Sequence, residues 1–179
     1  MFHQDHFAWP LTRLRRTAGA QLAIDQTDAF PEPINAGLVT LAGDSPIQLV
    51  GMMTSVGEGV LVDASVEATA QAQCSRCLTS FELPLAASIQ ELFVYPERRP
   101  LEDSDSDEDI NLIEGDQLRL DDLVRDAIVL EMPLIPLCRP DCAGLCPICG
   151  VNLNDHPDHQ HSDTVDARWL GLAQWGKLS

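Results

Sequence analysis

The chain has 179 residues, which suits one domain of ordinary size or one domain with a small appendage. Its 28 acidic and 11 basic residues give a formal net charge of −17, so the chain as a whole cannot bind nucleic acid by broad neutralisation of phosphates. No segment reaches the roughly 18 uninterrupted apolar residues of a membrane helix, and no apolar run follows the N-terminal arginines. We therefore expect a cytoplasmic protein without a membrane partner. Six cysteines in that reducing compartment indicate metal binding rather than disulfides.

The N-terminal segment, residues 1–46, is expected to be partly irregular and partly strand, and to belong to the same domain as the residues that follow it. Residues 1–18 look irregular apart from one helical turn around residues 11–16. An extended segment is expected over residues 19–28. The prolines in residues 31–33 forbid regular structure there.

Residues 47 to about 94 carry the alternation of apolar and polar side chains that is typical of half-buried strands. A turn signal, VGEGV, occupies residues 56–60, and the alternation resumes from Val60 to Ala70. A third strand is expected over residues 80–95. The pattern predicts a three-stranded antiparallel meander, with the Cys74–Cys77 pair in its second turn.

The second half of the chain is predicted to contain an acidic loop and two helices. Residues 97–109 hold seven acidic and two basic residues and lack the glycine of a calcium loop, so a solvated loop is expected. Apolar residues at helical spacing predict a helix of about 12 residues ending near Met132–Pro133. Residues 166–175 are predicted to form a short helix.

Together these elements predict an α+β fold. It consists of an antiparallel β meander, one central helix, a short C-terminal helix and a Cys-rich metal-binding segment. Residues 47–137 are expected to contain the meander, the acidic loop and the helix. Residues 138–179 are expected to contain the Cys/His segment and the C-terminal helix.

The six cysteines are arranged in three close pairs, and this arrangement is the strongest chemical signal in the sequence. The pairs are Cys74-x2-Cys77, Cys138-x3-Cys142 and Cys146-x2-Cys149. Two closely spaced thiols bind a metal from one tight turn, and a tetrahedral ion needs two further ligands from elsewhere.

Six cysteines make one and a half all-cysteine sites, and the histidines that follow them can supply the remaining ligands. The favoured pairing forms one site from Cys74, Cys77, Cys138 and Cys142, and a second from Cys146, Cys149, His159 and His161. The first site would connect segments about 60 residues apart. A rival pairing places both CxxC turns on one ion and leaves Cys138 and Cys142 spare. The polar stretch that contains the histidines can equally be a solvated loop without ligands.

Enzymatic motifs are missing from the sequence. It contains no GxSxG, P-loop or HExxH motif, and a redox CxxC would require a thioredoxin-like βαβ context rather than a meander. A thiolate-rich ligand set favours closed, structural sites. We therefore expect one or two structural zinc ions, no enzymatic activity and no small-molecule substrate.

Several motifs occur in an order that points to one family. They are CSRCL (74–78), FELPL (81–85), LVRDAIVLEMPLIPLC (123–138), CAGLCPICGVNLN (142–154) and DARWLGLA (166–173). In these motifs the chain resembles the YceD family of large ribosomal RNA subunit accumulation proteins, over about residues 47–178. Some family members lack the CPICG turn but keep the CxxC and a ligand-capable pair near positions 138 and 142, which supports the long-range pairing.

The resemblance implies a non-enzymatic ribosome-biogenesis factor that supports accumulation or processing of large-subunit ribosomal RNA. Its partner would be the pre-ribosomal large subunit, a ribosomal protein or ribosomal RNA. The acidic charge favours a basic ribosomal protein over bare RNA. The arginines near the cysteine turns and the N-terminus can contact phosphate, although isolated surface arginines are the simpler interpretation; they are Arg13, Arg15, Arg16, Arg76 and Arg139.

Two other functions are compatible with parts of the pattern. A zinc-dependent protein-interaction adaptor outside the ribosome would have the same metal sites, but it would not sediment with large-subunit precursors. A nuclease acting on ribosomal RNA would need the clustered carboxylates or histidine pair of metal-assisted phosphoryl chemistry, and the sequence shows neither.

Overall fold

The computed structural model describes residues 5–98, 111–113 and 115–161. Most of the expected acidic loop and the whole of the expected C-terminal helix lie outside these residues. Among the helices of the described part, none has the length and apolar character required to span a bilayer.

The described residues form one antiparallel sheet, a small two-stranded ribbon and one α-helix. In chain order the strands are β1 (Ala8–Pro10), β2 (Gln21–Asp28), β3 (Ile34–Ala36), β4 (Val39–Leu41), β5 (Ile47–Ser55), β6 (Gly59–Gln73), β7 (Ser80–Val94) and β8 (Gln117–Arg119). The α-helix, α1, spans Asp121–Glu131 and follows β8 directly. Short 3-10 helices occupy Leu11–Arg13 and Pro96–Arg98.

The predicted three-stranded meander is confirmed as the centre of the sheet. Strand β6 pairs antiparallel with β5 on one side, from Ser55↔Val60 to Ile47↔Ala68, and with β7 along its whole length on the other. Beyond the end of β5, the short strand β4 pairs with β6. Strand β2, which falls in the predicted extended segment of residues 19–28, pairs with the outer side of β5. The sheet order is therefore β2-β5-β6-β4-β3, with β7 on the free side of β6.

The main core lies on one face of the sheet, under α1. Alternate residues of β6 point into this core, as the two-residue period predicts; they are Val60, Val62, Ala64, Val66, Ala68 and Ala70. The helix buries Val124 and Ile128 and contacts β7, β3 and β6. It ends at Glu131, close to the predicted end. The α+β fold class is thus confirmed by the sheet and the main helix.

The N-terminal residues are attached to the start of α1. Strand β1 pairs antiparallel with β8, with Trp9 opposite Leu118. The Asp121 carboxylate accepts a hydrogen bond from the His6 N–H at 2.9 Å, and the Leu120 N–H donates to the Phe7 carbonyl at 2.8 Å. The acidic group at the first turn of the helix therefore holds the N-terminal segment in place.

A second and much smaller cluster of buried side chains lies at the turn between β6 and β7. It contains Cys74, Cys77 and Cys142, with the partly buried Phe81, Leu137, Cys138 and Leu145 around it. This cluster is separate from the main core. Because its three buried residues are all cysteines, which are small, apolar packing alone contributes little to its stability.

Candidate metal centres

The first group of thiols lies where the β6–β7 turn meets the chain that follows α1. The Sγ atoms of Cys74 and Cys142 are 3.7 Å apart, and those of Cys77 and Cys138 are also 3.7 Å apart. All four sulfurs lie within 4.8 Å of one another. A tetrahedral zinc ion with Zn–S bonds of about 2.3 Å separates its sulfur ligands by about 3.8 Å. The two distances therefore match the edges of a tetrathiolate site, and we call these four residues the four-cysteine group.

The turn that carries Cys74 and Cys77 has the same backbone shape as the turn that carries Cys146 and Cys149. In the first, the Leu78 N–H donates to the Cys74 carbonyl at 2.9 Å; in the second, the Gly150 N–H donates to the Cys146 carbonyl at 2.8 Å. The residue after the second cysteine is left-handed in both turns, with φ of 60° at Leu78 and 75° at Gly150. Both turns thus direct two thiols to the same side of the chain.

Leu78 occupies a backbone conformation that glycine adopts without strain. Replacing Leu78 with Gly should give a protein that is more stable than Leu78→Ala by about 1 kcal/mol, because only glycine removes the steric cost of the left-handed conformation. Both variants lose the same exposed side chain, so alanine is the matched control. Chemical denaturation of the two variants measures the difference, and equal stability would show that the turn does not impose this conformation.

The pKa values of three thiols in the four-cysteine group are shifted in different directions. Burial raises the pKa of Cys74, but hydrogen bonds from the backbone N–H groups of Cys138, Cys77 and Arg76 outweigh it and lower the pKa to about 6. The hydroxyl and backbone of Thr79 also lower the pKa of Cys77. Burial, together with the neighbouring thiols, raises the pKa of Cys138 to about 12. The pKa shifts of Cys74 and Cys77 are thus towards the thiolate and that of Cys138 is towards the thiol, and a bound cation would favour the thiolate at all of them.

Polar side chains outside the eight candidate ligands hold Cys142 in position. The Asn154 Nδ2 atom donates to Cys142 Sγ at 3.3 Å, and its Oδ1 atom accepts hydrogen bonds from the Ala143 N–H at 2.9 Å and Arg139 Nη2 at 2.7 Å. Arg76 donates to the Cys142 carbonyl at 2.9 Å. Such contacts orient a ligand and tune a metal site from outside the coordination shell. Nothing in the sequence distinguishes Asn154 from an ordinary loop asparagine.

Replacing Asn154 with Ala is expected to lower the stability of the segment around Cys142 by about 1–3 kcal/mol, because one side chain holds both the thiol and the adjacent backbone. Asn35→Ala is a suitable control, since the Asn35 side chain accepts an exposed hydrogen bond from the Thr40 hydroxyl at 2.8 Å, far in sequence from Cys142. Hydrogen exchange at the amides of residues 139–146 measures the effect. Equal exchange in the two variants would contradict the role assigned to Asn154.

The second group consists of Cys146, Cys149, His159 and His161, and we call it the cysteine–histidine group. The Cys149 Sγ atom lies 3.2 Å from His159 Nε2 and 3.3 Å from His161 Nε2, and the two Nε2 atoms are 2.8 Å apart. The edges of a tetrahedral zinc site are about 3.5 Å between sulfur and nitrogen and about 3.3 Å between nitrogens. The observed distances are shorter than these edges by a few tenths of an ångström. Cys149 and His161 are exposed, so their side chains are free to move apart by that amount.

The backbone around the cysteine–histidine group brings its ligands together. Backbone N–H groups of Cys149 and Ile148 lower the pKa of Cys146 to about 6. The chain then turns twice: the His156 N–H donates to the Asn152 carbonyl at 3.2 Å, and the His159 N–H donates to the His156 carbonyl at 3.1 Å. These turns direct both imidazoles back to the cysteines.

The eight side chains thus form the two sets that the favoured pairing describes, and each set is able to hold a metal ion. The two CxxC turns lie in different groups, unlike in the rival pairing. The sulfurs of Cys138 and Cys142 lie beside those of the first CxxC turn, as the favoured pairing requires.

Most of the arginines considered for phosphate contact already have partners within the protein. Arg16 lies 3.6 Å from the Glu97 carboxylate, and its guanidinium stacks over the Tyr95 ring with its central carbon 4.6 Å from the ring centroid. Arg139 forms an ion pair with Asp141 at 3.4 Å. Arg76 is engaged with the Cys142 carbonyl. These contacts weaken the case for an arginine-based RNA surface at the cysteine turns.

The chain matches one protein family and is similar to proteins of several bacteria. The family model described as YceD, large ribosomal RNA subunit accumulation protein, matches residues 62–175, which include both Cys/His groups. An uncharacterized protein of Mycobacterium tuberculosis is 36% identical over 175 residues, covering 96% of this chain and 84% of the relative. An uncharacterized protein of Mycobacterium leprae is 34% identical over 162 residues, covering 90% and 74%.

A more distant relative is the uncharacterized protein YlbN of Bacillus subtilis, which is 23% identical over 167 residues and covers 92% of this chain and 93% of the relative. No solved structure shows a significant match to the chain.

Proposed function

Because the chain belongs to the YceD family, we propose that it is a non-enzymatic factor supporting the accumulation or processing of large-subunit ribosomal RNA, and hence large-subunit assembly. The observation that carries this proposal is the match of residues 62–175 to a family described as large ribosomal RNA subunit accumulation proteins. In the proposal the protein acts by binding the pre-ribosomal large subunit.

The four-cysteine group and the cysteine–histidine group are proposed to bind one structural zinc ion each. Thiolate and imidazole ligands in a tetrahedral arrangement suit zinc better than calcium or magnesium, which prefer oxygen ligands. Each group has four protein ligands within 4.8 Å of one another, so a bound ion would have no open position for a substrate or a reactive water. The ions would therefore stabilise the fold and not take part in a reaction.

The proposed partner within the precursor is a basic ribosomal protein. The net charge of −17 attracts a cationic protein and repels the phosphates of bare RNA. Thiolate ligands persist in a reducing compartment, which supports a cytoplasmic location, where large subunits are assembled.

Depletion of the protein in its own host tests the proposal. The amount of large-subunit ribosomal RNA should fall relative to small-subunit ribosomal RNA, and the tagged protein should sediment with large-subunit precursors in a density gradient. Complementation with the wild-type chain should restore the ratio, whereas Cys142→Ser at the same protein level should not. An unchanged ratio, with the protein only at the top of the gradient, would favour an interaction adaptor outside the ribosome.

A further inference from the structure

An exposed apolar surface lies at the end of α1 and in the residues that lead to Cys138. Its members are Val129, Leu130, Leu134 and Ile135, which are 37%, 84%, 89% and 71% exposed; we call them the apolar strip. Single exposed apolar residues are ordinary, but four within seven consecutive positions are not. A cluster of this kind commonly marks an interaction surface.

The backbone that displays the apolar strip is well anchored. Ile128 and Met132 are buried in the main core on either side of the exposed helix end. Further along, Pro136 is buried and its carbonyl accepts a hydrogen bond from the Ser75 N–H at 2.8 Å. Buried residues thus lie before, between and after the exposed residues of the strip. They hold its backbone in place between the main core and the four-cysteine group.

Acidic residues border the apolar strip. Asp122 and Asp126 precede Leu130 at four-residue spacing, so all three lie on one exposed face of α1. Glu131 is also exposed at the end of the helix. The guanidinium of the nearby Arg125 packs over the Phe30 ring, 4.9 Å from the centroid, and its single positive charge is outnumbered by the three exposed carboxylates.

We propose that the apolar strip binds a cationic amphipathic segment of a partner protein. Apolar side chains of the segment would cover Leu130 and Leu134, and its lysines or arginines would face Asp122 and Asp126. The acidic border disfavours RNA, anionic membranes and a second copy of this acidic chain. The inference rests on the proposed function for the basic character of the partner, and it adds the surface at which that partner binds.

The test uses the full-length, metal-loaded protein and a labelled peptide of leucine and lysine at helical spacing. Fluorescence anisotropy should show binding that weakens with added salt, and a counterpart with glutamate in place of lysine should not bind. The double variant Leu130→Gln with Leu134→Gln should bind the peptide at least about tenfold more weakly, which is about 1.4 kcal/mol. Val50→Thr, which alters an exposed apolar residue on β5, should leave binding unchanged.

Several outcomes would overturn the proposal. Equal binding by the double variant and the wild-type protein would show that charge alone attracts the peptide, and no binding would remove the proposed ligand class. A wild-type dimer that dissociates in the double variant would identify a second copy as the occupant. A large fall in the melting temperature of the double variant would show that the strip is covered from within the chain.

The peptide measurement is independent of the test of the proposed function. If the wild-type protein co-sediments with large-subunit precursors but does not bind the peptide, the proposed surface is wrong and the proposed function stands. Normal peptide binding without co-sedimentation would identify a cationic partner outside the ribosome.

Discussion

Adding a strong chelator to the purified protein is expected to abolish amide protection in residues 136–161 while the β5–β7 meander stays protected. Within the described part of the chain, the main hydrophobic core contains no residue beyond Met132. The region after it packs mainly around the small cluster of thiols at the β6–β7 turn. Because that cluster is too small to stabilise a fold by burial alone, the proposed ions must supply most of its stability.

Hydrogen exchange followed by mass spectrometry, with and without the chelator, measures this effect segment by segment. Protection of residues 136–161 should return when zinc is added back, which serves as the internal control. Unchanged exchange in this region after complete metal removal would show that the region folds without ions. Simultaneous loss of protection in the meander would show that the two cores are not independent.

Replacing Cys142 with Ser is expected to lower the opening free energy of the same region by about 3–5 kcal/mol. Structural zinc contributes about 10–16 kcal/mol through four ligands in small zinc-binding peptides, so the loss of one ligand removes a substantial part of that free energy. The stability of the region is sensitive to substitution at Cys142, because its sulfur lies 3.7 Å from Cys74 Sγ and accepts a hydrogen bond from Asn154. The change therefore affects both the ligand set and the contact that orients it.

The loss of metal binding in Cys142→Ser must be separated from the cost of burying the serine hydroxyl at this position. In the presence of chelator, the wild-type protein and the Cys142→Ser variant should differ by less than about 1 kcal/mol, because neither then has a metal ion to lose. Cys149→Ser is the matched control in the other group and should loosen residues 146–161 only. A difference between wild type and Cys142→Ser that persists undiminished in chelator would assign Cys142 a packing role.

The central meander and the helix could be predicted because each has a local repeat. Alternation from Val60 to Ala70 follows from a strand with one buried face, and the apolar spacing in residues 120–128 follows from a helix on a sheet. The two ligand sets could be proposed for a related reason, since paired cysteines give a limited number of tetrahedral combinations.

The elements that could not be predicted depend on contacts between distant residues. Strand β1 becomes a strand only because it pairs with β8, more than a hundred positions away, and neither has a pattern of its own. The β3–β4 hairpin has strands of three residues, too short for a repeat, although the left-handed Gly37 is a turn signal in retrospect. Asn154 acquires its role only from the folded position of Cys142.

Native mass spectrometry of the purified protein, with the metal identified by elemental analysis, tests most directly the proposal of two separate structural sites. We expect two zinc ions per wild-type chain and one each in Cys142→Ser and His159→Ala, because each substitution removes a ligand from a different group. A single ion in the wild-type chain that His159→Ala leaves in place would contradict the site at the cysteine–histidine group. A chain that carries no ion when purified without chelator would contradict the proposal as a whole.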